Sequence, residues 1–269
     1  MPKIKTQDGI NINYNVYGDG APLLLLAGLG ESGSYWDKHV NVYKEHFMCI
    51  VPDNRGSGES DKPEGEYTTE QMAYDAISVL NDLGIEKYSI SGVGMGAAIA
   101  QQVMIKHNRK PNCCILTLTF ARCNDDTLSK YNELKTACGS LPHDEFLKEF
   151  YSYLYKPQYL EENPNSLDEF ITRHKSEKTI MPPYAFEAQI EACISHNTLN
   201  EVTRLPLIPY MYITWEHDAS TPGYYAMEMH QRTINSRLDP LRGAHAHNPD
   251  EIERYNELTL DFLLKENRL

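Results

Sequence analysis

The sequence lacks any long apolar run, any basic stretch and any CxxC cysteine pair. No apolar segment approaches the roughly 20 residues of a membrane-spanning helix, and the charged first residues are not followed by the apolar core of a secretory signal. A net charge of −13 disfavours nucleic acid and anionic membranes as partners. Cys113 and Cys114 lie inside an apolar run, as core cysteines do, so we expect a cytoplasmic protein.

The 269 residues are 41% hydrophobic and 23% charged, which is enough to bury a large core. Short apolar runs, typical of strands buried on both faces, alternate with segments of helical periodicity. The runs lie at residues 22–27, 47–51, 88–91 and 113–118, and the helical segments at 68–83 and about 97–107. Residues 10–17 alternate as an exposed antiparallel strand does, and we expect Thr69 to cap the first helix and Gly84 to end it. This order predicts an α/β fold with a mostly parallel, doubly wound sheet.

The pattern changes in the middle of the chain. Residues 122–204 are polar, rich in Tyr and Glu, interrupted by prolines and mostly helical in periodicity. Strand-like segments and a closing helix then follow at residues 208–214, 237–238 and 249–265. We therefore predict one core formed by residues 1–121 and 205–269, with residues 122–204 inserted as a helical cap of the kind that often covers a site.

Three loops at predicted strand ends hold candidate site residues, because ligands bind beyond the carboxyl ends of parallel strands. The first loop is Gly92-Val93-Gly94-Met95-Gly96, between a strand and a helix. A tight elbow there places its central residue in a strained backbone conformation, and small neighbours let the chain pass closely. A dinucleotide-binding fingerprint or a plain glycine turn is the alternative, but the third glycine comes one position early for G-x-G-x-x-G.

The other two loops carry an acid and two histidines. Asp218 follows a buried strand directly, where a solvated loop acid or a helix cap is the simpler role. His245 and His247 lie between the last predicted strand and the closing helix. A His-x-His pair can bind a metal, but no cysteine stands at ligand spacing nearby, and we predict no metal site.

At these loops, and over essentially the whole chain, the sequence resembles the α/β-hydrolase family, especially its lactonase- and esterase-like members. The stretch from Leu23 to Gly30, followed by Trp36, is similar to the family's strand and oxyanion loop. Residues Asp53 to Ser60 match the family's D-x-R-G-x-G-x-S stretch in full, with Arg55 expected to be structural rather than catalytic. Asp218 fits the family's acid loop and His245 its histidine loop, in the family's order.

The sequence departs from this family at the elbow, which should be G-x-S-x-G with serine as the nucleophile. Gly94 occupies the serine position, and a hydrogen side chain cannot attack a carbonyl carbon. The resemblance implies that the backbone amides of Leu29 and Met95 form an oxyanion hole, with Gly28 and Trp36 beside them as substrate-binding residues. Trp36 suits either the core or a pocket wall. No cofactor is implied.

The resemblance keeps His245 as a base and Asp218 as the acid that orients it. It therefore implies an enzyme that acts by general acid/base chemistry on a small, partly apolar carbonyl compound. Three kinds of reaction are consistent with this chemistry: hydrolysis by activated water, carbon–carbon cleavage, and intramolecular condensation or cyclisation. Two alternatives remain open: a non-catalytic binding or regulatory protein, similar to the N-myc downstream-regulated proteins with G-x-G-x-G at the elbow, or a serine hydrolase with an engineered Ser-to-Gly substitution. A small molecule is the expected partner, and no oligomeric state is indicated.

Overall fold

A computed structural model describes residues 2–106, 110–243 and 249–268. Within these ranges eight strands form one sheet: β1 (Lys3–Lys5), β2 (Asn11–Tyr17), β3 (Ala21–Leu26), β4 (Phe47–Pro52), β5 (Ser89–Val93), β6 (Cys114–Thr117), β7 (Tyr210–Trp215) and β8 (Ser236–Leu241). Their spatial order is β1-β2-β4-β3-β5-β6-β7-β8. The pairs β1–β2 and β2–β4 are antiparallel, and every other neighbouring pair is parallel. The predicted α/β fold with a mostly parallel sheet is thereby confirmed.

The central strand β3 illustrates why a continuous apolar run forms the middle of the sheet. It pairs in parallel with β4 on one side and β5 on the other. Its four leucines, residues 23–26, are 0% exposed. Side chains alternate along a strand, so Leu24 and Leu26 pack into the core on one face, and Leu23 and Leu25 pack into the core on the other. Burial of each such side chain stabilises the fold by roughly 1.5–3 kcal/mol.

Helices cover both faces of the sheet. The described helices are α1 (Asp37–Tyr43), α2 (Thr69–Asp82), α3 (Met95–Lys106), α4 (Asp125–Ser140), α5 (His143–Leu154), α6 (Pro157–Glu162), α7 (Ser166–Ser176), α8 (Pro183–Ser195), α9 (Tyr224–Arg232) and α10 (Pro249–Asn267). Buried side chains of α2, α3 and α9 belong to the core on one face, and those of α1 and α10 to the core on the other. The sheet is therefore doubly wound, as expected.

The cap of α2 differs from the predicted one by a single residue. Thr68, with an extended backbone at φ −134°, is the N-cap, and its hydroxyl accepts a hydrogen bond from the amide of Gln71. The Thr68 amide in turn donates to the side-chain oxygen of Gln71, which completes a capping box. Thr69, the predicted cap, is instead the first helical residue, and its hydroxyl bonds to Nδ1 of His196 at 2.8 Å. Gly84 follows the helix at φ +65°, so it does end the helix as predicted.

Helices α4–α8 all lie between β6 and β7 in the chain, in the stretch predicted to be inserted as a cap. Gln189 of α8 is fully buried and connects this insertion to loops of the core. Its amide nitrogen donates to the Arg55 carbonyl at 3.0 Å and to the Ser57 hydroxyl at 2.9 Å. Its amide oxygen accepts from the Gly30 amide at 3.0 Å. One side chain thus fixes α8 against two core loops that follow β3 and β4.

In the described ranges, no helix is both long enough and apolar enough to cross a membrane.

All six cysteines are free, and Cys113 and Cys114 are fully buried, as predicted. Burial raises the pKa of the Cys113 thiol to about 12, so the thiol stays protonated and unreactive near neutral pH.

We expect the free energy of unfolding to fall as the pH is lowered from 7 to 5, because two histidines are buried uncharged. Burial lowers the pKa of His39 to about 4 and that of His196 to about 3, whereas a histidine of the unfolded chain titrates near pH 6.5. Below that pH the unfolded state binds protons that the folded state does not. Each histidine therefore removes about 1.4 kcal/mol of stability per pH unit until its folded-state pKa is reached.

Urea denaturation at pH 7 and pH 5 measures this effect. For His39→Gln, the loss of stability between the two pH values should be about 2 kcal/mol smaller than for wild type. The matched control is His46→Gln, which removes an exposed histidine and should leave the wild-type loss unchanged. An equal loss in wild type and His39→Gln would contradict the prediction.

Candidate active site

Most of the loop predicted at residues 92–96 is regular structure: residues 92–93 end β5 and residues 95–96 begin α3. Gly94 alone forms the tight elbow between them. Gly94 has φ +53°, in the left-handed region that favours glycine, and its amide donates to the Thr117 carbonyl at 2.9 Å. A Cβ on Gly96 would stand 2.1 Å from the Leu26 carbonyl oxygen, and one on Gly92 would stand 2.3 Å from the Gly96 carbonyl oxygen. The flanking glycines are therefore needed for close passage of the backbone at the elbow.

Gly94 itself borders open space. A Cβ built on it would meet nothing within 4 Å, and the residue lines a cavity of about 50 Å³ together with Gly28, Leu29 and Met95. Met95 is the first residue of α3, so its amide has no acceptor within the helix. The structure thus brings four of the predicted site residues around one cavity, at the position that a serine side chain would occupy.

The turn that carries Gly28 and Leu29 is held by the Asp53–Ser60 stretch. The Asp53 carboxylate accepts a hydrogen bond from the Gly33 amide at 2.7 Å, and the side-chain amide of Asn54 donates to the Ala27 carbonyl at 3.0 Å. Both bonds are buried. The motif after β4 therefore fixes the conformation of the neighbouring turn rather than supplying groups to the cavity.

Asp218 lies in the loop after β7 and is 2% exposed. Its carboxylate accepts hydrogen bonds from the Thr221 amide at 2.5 Å and from the Ser220 hydroxyl at 3.1 Å. Ser220 and Thr221 also line the cavity beside Gly94. The predicted acid is thus buried, hydrogen-bonded and separated from that cavity by the two residues that bind it.

The Asp218 loop is also attached to the segment that precedes the predicted base. The His217 amide donates to the Gly243 carbonyl at 3.0 Å, and the Ala219 amide donates to the Leu154 carbonyl at the end of α5 at 3.0 Å. His245 follows Gly243 by two residues, and both His245 and His247 lie outside the described residues. The loop of the acid therefore runs beside the start of the loop of the histidine.

Two residues near the site lie in the core, the candidate Trp36 and Ser91 of β5. Trp36 is 0% exposed and packs edge to face on Tyr35 and His39, with ring centroids 5.2 and 5.4 Å away. Trp36 is not among the residues that line the Gly94 cavity. It is therefore a core residue, which was one of its two expected roles, and not the substrate-binding residue that the resemblance implied. Ser91, three residues before Gly94, is 2% exposed and hydrogen-bonds to the Tyr255 phenol. It is a satisfied core hydroxyl.

The structure adds a charged pair that the sequence did not reveal. Glu31, next to the turn of Gly28 and Leu29, is buried and lines the Gly94 cavity. Arg173 of α7 donates to both of its carboxylate oxygens, at 2.6 and 2.7 Å. Adjacency to Gly30 was a signal that could have identified Glu31. No local pattern marks Arg173, which is 142 residues away in the chain.

The family model described as "alpha/beta hydrolase fold" matches residues 21–159. The chain belongs to the α/β-hydrolase family. It is 21% identical over 257 residues to RutD of Azorhizobium caulinodans, which is named as a carbamate hydrolase, and the match covers 94% of each chain. This α/β-hydrolase fold is the one that the resemblance implied.

Two solved structures share the fold. An enol-lactonase from Burkholderia xenovorans superposes with a TM-score of 0.85 at 21% identity, over 97% of this chain and 99% of that one. A thermophilic esterase from Thermogutta terrifontis superposes with a TM-score of 0.84 at 23% identity, over 98% of each chain. At these identities the likeness establishes the fold alone.

Proposed function

We propose that this α/β-hydrolase is an enzyme that works without a serine nucleophile, with His245 as general acid/base and Asp218 as the carboxylate that orients it. The observation that carries the proposal is the cavity beside Gly94. The vacated nucleophile position opens into it, and the turn of Leu29, the start of α3 at Met95 and the residues that bind Asp218 border it.

The chemistry follows from what such a cavity holds. With no side chain on Gly94, the cavity has room for a water molecule or a substrate atom at the nucleophile position. His245 would take a proton from that water, or from an acidic carbon or hydroxyl of the substrate. The amides of Leu29 and Met95 would stabilise the negative charge that develops on the carbonyl oxygen. Hydrolysis by activated water, carbon–carbon cleavage and intramolecular condensation share these steps.

The names of the relatives and the lining of the insertion suggest the substrate class. One relative is named as a carbamate hydrolase, and two solved structures of the same fold are called an enol-lactonase and an esterase. Helices α4–α8 act in this proposal as the lid over the cavity. Phe150, Tyr131 and Tyr153 of the insertion line it, which suits a small, partly apolar carbonyl compound.

The experiment is a turnover screen with wild type, His245→Ala and Asp218→Asn. Short-chain esters, lactones and aryl carbamates serve as substrates. Loss of the general base typically costs about 10²–10⁴-fold in rate, so we expect at least a hundredfold loss of turnover for His245→Ala on any compound that wild type converts. His247→Ala is the matched control, since it removes a histidine from the same loop and should leave turnover unchanged.

Two results would contradict the proposal. One is turnover by His245→Ala at the wild-type rate. The other is the absence of turnover on every compound together with measurable binding. That second result would favour the alternative of a non-catalytic binding protein, for which glycine at φ +53° has the advantage of an unstrained elbow.

A further inference from the structure

A second cavity, of about 240 Å³, lies within the helical insertion and meets the Gly94 cavity at two shared residues, Glu31 and Phe150. Phe186 stands edge to face against both Phe146 and Phe150, with ring centroids 4.9 and 5.2 Å apart. A Cβ on Gly30 would come 2.7 Å from the Phe186 ring. The apolar wall of this cap cavity therefore begins directly at Gly30.

His174 of α7 lines the cap cavity and has one ring nitrogen without a hydrogen-bond partner among the described residues. Its Nδ1 lies 3.0 Å from the Phe170 carbonyl oxygen. A carbonyl oxygen only accepts, so Nδ1 carries the proton and Nε2 of the neutral ring has a lone pair. Burial lowers the pKa of His174 below 6.5, which keeps the ring neutral at pH 7. Nε2 is buried and has no hydrogen-bond partner among the described residues.

Two carboxylates lie on the same cavity wall as His174. The Glu31 carboxylate oxygen Oε1 lies 3.7 Å away, beyond hydrogen-bond length, and its charge is compensated by Arg173. Glu177, also on the cavity wall, accepts from the Ser32 hydroxyl at 3.0 Å. The described residues that line the cavity include no lysine or arginine. A bound carboxylate would therefore find no unpaired lysine or arginine on the described wall of the cavity, whereas a neutral donor would find an available lone pair.

We propose, resting on the proposed function, that the cap cavity binds the apolar part of a neutral substrate that carries a hydroxyl or amide N–H group, and that His174 Nε2 accepts a hydrogen bond from that group. His174 is then a specificity-determining residue. A site built to accept a hydrogen bond discriminates against an analogue that lacks the donor, because the buried acceptor is left unpaired.

The experiment is calorimetric titration with ketones, which are not substrates for ester hydrolysis. The probes are 3′- and 4′-hydroxyacetophenone, each compared with the fluoro analogue, whose substituent has similar size but no donor. One hydrogen bond corresponds to a difference of about 2- to 10-fold in affinity. We expect wild type to bind at least one hydroxyl compound more tightly than its fluoro analogue by this factor, and 4-hydroxybenzoate, an anion, more weakly than 4′-hydroxyacetophenone.

Variants assign the preference to one side chain. His174→Leu should abolish the preference for the hydroxyl compound, and His174→Gln, which restores an acceptor oxygen, should retain it. His46→Leu is the matched control because it removes an exposed histidine that does not line the cap cavity, and it should keep the preference. Thermal unfolding checks that each variant is folded. If His174→Leu does not fold, His174→Met, which also lacks a hydrogen-bond acceptor of this kind, is compared with His174→Gln instead.

Three outcomes would overturn the inference: equal affinity for the hydroxyl and fluoro compounds at both ring positions, a preference that persists without an acceptor at residue 174, or no binding of any probe. This test measures binding and not turnover. An unchanged turnover rate in His245→Ala would therefore contradict the proposed function while leaving the binding preference intact. Loss of the binding preference would overturn this inference while leaving the proposed function intact.

Discussion

The Gly94→Ser variant is expected to hydrolyse short-chain p-nitrophenyl esters about 10³-fold faster than wild type. A Cβ on Gly94 meets nothing within 4 Å, so a serine side chain fits without displacing a neighbour. The backbone at φ +53° is already that of an elbow residue. The new hydroxyl would lie in the cavity bordered by Leu29 and Met95, where an attacking oxygen is needed.

The rate of p-nitrophenolate release, followed by absorbance in a stopped-flow or manual assay, measures this gain. An initial burst of p-nitrophenolate equal to the enzyme concentration would identify an acyl-enzyme. Gly94→Ala is the matched control: it has the same strained Cβ but no hydroxyl, and should hydrolyse no faster than wild type. Both variants should lose about 1–2 kcal/mol of stability, because a side chain in the left-handed region is strained. The double variant Gly94→Ser/Asp218→Asn should lose most of the gained rate.

Ester hydrolysis by Gly94→Ser no faster than by Gly94→Ala would contradict the prediction. It would mean that the base or the oxyanion amides are not arranged for acyl transfer, and would favour a chemistry in which no covalent intermediate forms. A large gain would show that the chain lacks only the nucleophile, the result expected for either a natural or an engineered loss of serine.

Sequence patterns predicted the fold well because the central strands are short, mostly apolar runs. A strand such as β3, buried on both faces, consists almost wholly of apolar residues, and the surrounding helices repeat at their own period. Sequence patterns were less able to predict the role of a single residue. Thr68 and Thr69 are both suitable caps, and the choice depends on a bond from Thr69 to His196, 127 residues away. Sequence alone does not contain that contact.

The same distinction holds for the candidate site. Gly28, Leu29, Gly94 and Met95 meet around one cavity because they follow adjacent parallel strands, β3 and β5, at the same edge of the sheet. Trp36 was undecided because a large aromatic residue near a site suits a wall or a core equally, and only packing decides.

The contacts between the insertion and the core were not predicted from the sequence. Arg173 bonds to Glu31, and Gln189 to Gly30, across separations of 142 and 159 residues. These contacts depend on how α7 and α8 fold back over the core. No spacing or composition in residues 122–204 specifies that arrangement.

Replacing Arg55 by methionine is expected to lower the free energy of unfolding by about 3–5 kcal/mol. Arg55 donates to both carboxylate oxygens of Asp75, each at 2.7 Å, and both side chains are 5% exposed. This ion pair is the structural role that the sequence predicted for Arg55. Without the guanidinium, the Asp75 carboxylate would stay buried with no positive partner, and its desolvation would go uncompensated.

The pH dependence of that loss identifies its cause. Burial already raises the pKa of Asp75, against the opposing effect of Arg55. Removal of Arg55 leaves burial unopposed, so the folded-state pKa rises further and the folded protein takes up a proton at Asp75 as the pH falls. Stability of Arg55→Met relative to wild type should therefore recover at lower pH and decrease as the pH rises through that pKa.

Urea denaturation at several pH values provides the measurement, with two variants to separate the causes. Asp8→Asn removes the half-exposed partner of Arg55, at 2.9 Å, and should cost less than about 1 kcal/mol. Arg55→Met/Asp75→Leu removes both buried charges and should regain most of the stability. If Arg55→Met cost no more than Asp8→Asn, the buried pair would not stabilise the fold. The expected results would instead mean that Arg55 compensates the buried charge of Asp75, the structural role predicted for it from the sequence.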